Sequence, residues 1–150
     1  MAEPTAALPF LAGLAAGPQA AIAAGATPVH FAAGSYLFRA DDAADRLYLI
    51  DAGRVALEVS APGRGRIAFQ TLGPGEPVGL SWLSPPHRWQ FDARAVEPVS
   101  ATAIDATRLR ALAAADPDLE RALLARFLPV LLGRLQAARR QLLDVYGNDR

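Results

Sequence analysis

The chain predicts a mainly β protein with flanking helices: an antiparallel β-roll of the jelly-roll kind, preceded by short helices and followed by a long C-terminal helix. Three observations lead there. Between Val29 and Ala103 apolar residues recur at alternate positions, in runs too short and too closely spaced for intervening helices. Glycine-rich turn sequences separate those runs. At either end the apolar spacing lengthens to three and four, the period of a helix face. Helices are therefore expected over residues 8–26 and 106–146 and the roll over 28–104, in one domain of 150 residues, long enough to bury a core unaided.

Taken in order, Leu8, Leu11, Leu14 and Ile22 recur at helical spacing among alanines, and Pro18 suits a helix start. The alternating runs then pass through Val29 and Phe31, Leu47 and Leu49, Val55, Leu57 and Val59, Ile67 and Phe69, and Val99, Ala101 and Ala103. AAGS, DAG, APGRG and GPGE supply the turns. The run WQFDARA predicts one more strand, with Trp89, Phe91 and Ala93 on one face and Gln90, Asp92 and Arg94 on the other. Asp105 is placed to cap a short helix. Asp116-Pro117-Asp118 offers a cap, a proline inside the first turn and a favourable negative charge there for a long one.

That last helix carries two apolar stripes. Leu124, Leu128, Leu131, Leu135, Ala138, Leu142 and Val145 form a seam of alternating steps of four and three, and Leu123, Phe127, Val130 and Ala137 form a second. One sheet cannot bury so wide an arc, so one stripe is expected to pack inward and the other to meet a second copy of the chain. Pro129 removes one helical hydrogen bond along the way. The arginines Arg134, Arg139 and Arg140 read as the solvated face.

Composition narrows the function. All 15 basic residues are arginines, balanced by 15 acids, so no net field draws the chain to nucleic acid. The absence of cysteine removes thiolate metal sites and thiol nucleophiles. Two histidines, His30 and His87, lack carboxylates at ligand spacing and read as solvated. No nucleophile elbow, Walker loop or paired carboxylates suggest an enzyme. No unbroken apolar span suggests a membrane segment, and MAEPTAALPFLAGLAAG lacks the positive start of a signal peptide, so a cytoplasmic protein is expected.

Several stretches together resemble the cyclic nucleotide-binding domain family over about Leu8 to Tyr146. FAAGSYLFRADDAADRLYLIDAGRVALEV is similar to the family's opening strands, with Gly34 and Gly53 as turn glycines and Asp45 ahead of the second strand. LGPGEPVGL resembles the approach to its phosphate-binding cassette, with Gly75, Glu76 and Gly79 in place. The resemblance makes GLSWLSPPHRWQFDARA the cassette and implies Gly79, Leu80, Ser81, Trp82, Arg88, Trp89 and Gln90 as ligand-binding residues. The implied ligand is cyclic AMP, cyclic GMP, another cyclic nucleotide or a different small anion. Backbone amides at the start of a short helical turn, with a guanidinium opposite, suit such a charge.

Two positions depart from the family pattern. Leu80 stands where a glutamate ordinarily accepts hydrogen bonds from the ribose, a loss of about 1.5–3 kcal/mol, roughly ten- to a hundredfold in affinity. Counting back from Ala93-Arg94-Ala95 places Trp89 at the cassette arginine, and Arg88 takes that position only with one residue inserted. The expected function is a stand-alone, homodimeric regulatory domain in which a ligand repositions the C-terminal helix. No DNA-binding module of the kind found in the family's transcription factors is expected. The competing expectation is a ligand-free module that docks an unidentified protein partner through the helix seam and the aromatics around Trp82 and Trp89.

Overall fold

The computed structural model describes residues 11–147, so the expected helical residues 8–10 and the seam side chain of Val145 lie outside what is described. Two four-stranded antiparallel sheets face each other. The first has the order β1 (Ala26–Phe31), β8 (Val99–Asp105), β3 (Arg46–Ala52), β6 (Pro77–Val78). The second runs β2 (Tyr36–Phe38), β7 (Asp92–Ala95), β4 (Val55–Ala61), β5 (Gly65–Leu72). The chain crosses between the sheets several times, which makes the sandwich a roll and confirms the expected fold class.

Register follows the apolar pattern. In the second sheet Leu57 pairs with Ala93 and Ala93 with Phe38, so these share the inner face. Glu58 pairs with Asp92 and Ala56 with Arg94 on the outer one. The strand expected from Trp89 begins only at Asp92, because the preceding residues make an isolated bridge from Arg88 to Ala43 and then bend. In β3 the alternation gives way to Leu47, Tyr48, Leu49 and Ile50, all buried. Burial of consecutive residues means that both faces of this strand are covered.

The turn from β3 to β4 depends on Gly53. Its φ is +93°, and a Cβ there would lie 2.3 Å from the Pro98 carbonyl oxygen and 2.9 Å from the Val99 Cα. Only glycine fits such an approach.

Among the described residues three helices pack around the roll: α1 (Ala16–Ala24), α2 (Ala106–Ala115) and α3 (Pro117–Gly147). The Asp105 carboxylate accepts from the Arg108 amide at 3.1 Å and caps α2. Asp116 does the same for α3, accepting from the amides of Asp118 and Leu119 at 3.1 and 3.3 Å. The helix carries on through Pro129. Its two stripes separate in part: Leu123 and Phe127 of the second are buried, together with Leu119, and Val130 and Ala137 are part-buried, whereas Leu124, Leu128, Leu131, Leu135 and Leu142 are 44–57% exposed. Leu132 and Leu143 widen the exposed side.

Candidate functional site

The segment that leaves β6 is held tightly before it can meet anything from outside. Gly79 has φ +93°, and a Cβ on it would fall 2.5 Å from Cη2 of Trp89 and 3.4 Å from the ring of Phe38. The group that needs glycine's lack of a side chain at this point is therefore the indole of Trp89. That indole is 2% exposed and stacks on Phe38 with centroids 3.7 Å apart and planes 9° from parallel. Phe38 continues to Phe91 at 6.0 Å, and Phe91 meets Phe69 edge-on at 5.5 Å. An aromatic row thus fills the roll from Gly79 to β5, each contact adding about 0.5–1.5 kcal/mol to the burial itself.

Past Gly79 the chain makes one 3-10 turn, Ser81–Leu83. Trp82 points from it into the core, 2% exposed, and meets Phe127 of α3 edge-to-face at 5.5 Å. Its carbonyl accepts from Arg110 Nη1 of α2 at 3.1 Å. The turn is thereby clamped to both C-terminal helices, although the Trp82 indole N–H is buried without an acceptor.

Arg88 and Trp89 part company. Arg88 is exposed and donates from Nη1 to the Asp41 carbonyl at 2.8 Å, while Trp89 turns inward. Gln90, also exposed, donates to the Arg88 carbonyl at 3.1 Å. Beyond them Asp92 anchors the start of β7: it accepts from the Ala40 amide at 2.7 Å and pairs with Arg66 and, at 3.4 Å, with Arg39. Burial pushes this carboxyl up, but the Ala40 amide and the two guanidinium groups outweigh it and hold the group below the usual carboxylate range. Arg94 neutralises Glu58 alongside at 2.9 Å.

A cavity of about 510 Å³ lies between this segment, strands β4 and β5, and helix α3. Of the seven residues expected to bind ligand, Leu80, Ser81, Arg88 and Gln90 border it, whereas Gly79, Trp82 and Trp89 do not. Leu57, Phe69 and Phe91 form the apolar wall on the sheet side. The helix supplies Leu131, Arg134, Leu135 and Ala138. Arg134 does not belong to a solvated face: it is half-buried and donates from Nη2 to the Pro77 carbonyl, and its Nε is buried with no acceptor among the described residues. Burial lowers its pKa, against the pull of nearby Glu76. Sequence did hold a signal for it, since Leu131, Arg134 and Ala138 stand three and four apart on one helix face.

A β-roll with a cavity bordered on one side by a C-terminal helix is the architecture of a regulatory domain fold. The chain belongs to the cyclic nucleotide-binding domain family, whose profile matches residues 28–116. Among solved structures it is similar to a candidate cyclic nucleotide-binding protein from Geobacter metallireducens, with 28% identity, a TM-score of 0.78, and 90% of this chain and 99% of the other covered. A cyclic nucleotide-binding domain from Methylobacillus flagellatus is 18% identical with a TM-score of 0.80, covering 93% of this chain and 82% of its own. The catabolite activator protein of Thermus thermophilus is 26% identical with a TM-score of 0.67, covering 93% of this chain and 63% of its own. Comparison with curated proteins returns no match. Among the described residues no helix is long and apolar enough to cross a membrane.

Proposed function

We propose that this chain is a regulatory domain whose 510 Å³ cavity takes a small ligand other than a ribose cyclic phosphate, and that α3 reads its occupancy. One observation carries the reading: the cavity has residues of the cassette segment on one side and residues of α3 on the other, so one occupant touches both. A ligand that binds one helix position better than another shifts the helix by that difference in affinity and no more. The volume falls within the range of small-molecule sites. Against a cyclic phosphate stand Leu80, whose side chain offers no acceptor, and Trp89, which fills the space against Gly79.

Two copies pair through the exposed seam of α3 in this reading. Leu124, Leu128 and Leu142, each about half exposed and clear of the cavity, stand at a/d spacing and make a self-complementary stripe of the kind a two-fold coiled pair buries.

Thermal denaturation with a panel of small organic anions, set beside Ala138→Trp, tests the ligand reading. Ala138 is exposed and borders the cavity, so an indole there blocks it from the helix side without entering the core. A ligand at a hundred times its Kd adds about 2.7 kcal/mol, which at about 2–4 °C per kcal/mol raises the midpoint by roughly 5–10 °C. That rise is expected in the native chain and absent from Ala138→Trp. Equal rises in both, or none in the native chain with any compound, overturn the ligand reading; the second result favours a ligand-free module that acts through its paired helices.

A further inference from the structure

We infer that Arg134 is the anion anchor of the cavity, and that the ligand is a small monoanion, a carboxylate or sulfonate on a flat apolar body. The inference rests on the cavity reading above and deepens it.

Two guanidinium groups border the cavity. Arg88 is exposed, and its Nη1 already donates to the Asp41 carbonyl. A charge that stays in water gives a ligand little, because bulk solvent screens it. Arg134 differs in its burial and in a donor left unanswered. It is half-buried on the wall opposite the cassette, its Nη2 donates to the Pro77 carbonyl, and its Nε faces no acceptor. A charged donor removed from water and left unanswered is a demand that an incoming acceptor satisfies. The carbonyl it now holds lies one residue beyond Glu76 and two before Gly79, so the same side chain ties α3 to the segment leading into the cassette. A ligand carboxylate competes with that carbonyl and forms the stronger, charge-assisted bond.

The remaining walls set the rest of the ligand. Leu57, Phe69, Leu80, Phe91, Leu131 and Leu135 are apolar, and two of them are aromatic faces suited to a flat ring. Glu76 immediately precedes Pro77, whose carbonyl Arg134 holds, so a carboxylate is already close to the anchor and disfavours a second negative charge on the ligand. One anionic group on a ring system is the chemistry these walls accept.

The probes are 1-anilinonaphthalene-8-sulfonate, an aromatic monoanion, and N-phenyl-1-naphthylamine, its uncharged relative, titrated by fluorescence into the full-length folded chain. Arg134→Gln is expected to weaken the sulfonate about tenfold or more and leave the amine within about twofold, since only the first has charge to lose. Arg134→Lys, which keeps the charge, restores most of the sulfonate affinity, and Arg88→Gln changes neither probe beyond about twofold because its charge is solvated. Ala138→Trp excludes both. If both probes bind the native chain and are excluded by Ala138→Trp, yet Arg134→Gln affects them equally or not at all, the anchor is wrong and the cavity stands. If Ala138→Trp leaves both probes bound, or neither binds the native chain, the cavity reading falls and takes the anchor with it.

Discussion

Replacing Trp82 by alanine is expected to lower stability by about 3–5 kcal/mol, the range for deleting a fully buried large aromatic. For a chain of this size that is a fall of roughly 10 °C in the unfolding midpoint. The magnitude follows from where the indole sits: 2% exposed, edge-on to Phe127 of α3, on a turn whose carbonyl is also held by Arg110 of α2. Trp82→Phe is the informative companion. The indole N–H has no acceptor, so phenylalanine loses contact area but also removes an unsatisfied buried donor, and its cost is expected to be less than half that of alanine. Urea unfolding of the three proteins checks both numbers; an alanine variant within about 1 kcal/mol of the native chain contradicts the packing described.

The second large effect is on assembly. Leu128 and Leu142 are each 56% exposed, lie on the α3 seam and do not border the cavity. Glutamate at both positions puts two like charges per chain into a surface that pairing must desolvate. The native chain is expected to sediment as a dimer at micromolar concentration and the double variant as a monomer, a weakening of at least about a hundredfold or ~3 kcal/mol. The helical circular dichroism of the roll's flanking elements survives, because both positions already face water in the single chain. A native chain that sediments as a monomer across that range contradicts the pairing.

Much of the architecture is legible in the sequence because each feature is local. Alternation at Val55, Leu57 and around Ala101 marks strand residues of the core, although Ala56, Glu58 and Thr102 between and beside them are buried as well, and Asp105 and Asp116 cap helices through amides two or three residues away. The two α3 stripes separate over the first half of the helix, where Leu123 and Phe127 are buried and Leu124 and Leu128 exposed, because a helix wheel needs only the period. Reading fails where distant chain decides. The segment at Trp89–Phe91 alternates like a strand, yet the bridge from Arg88 to Ala43 delays β7 until Asp92. Composition cannot say which of Arg88 and Trp89 turns inward; Gly79 and Phe38, ten and fifty-one residues earlier, make a slot that fits a flat indole. Arg134 reads as solvated until the carbonyl of Pro77, 57 residues away in the chain, is placed beside it.

The account turns on the place against Gly79 being filled by Trp89, which moves the ligand space toward α3. Titration calorimetry of the native chain with cyclic AMP and cyclic GMP tests this most directly. No heat of binding is expected with either nucleotide at concentrations up to about a millimolar, a limit of about −4 kcal/mol on any affinity. Micromolar binding of either one, with one site per chain, would mean that the indole yields to a cyclic phosphate and that the site is the nucleotide pocket after all.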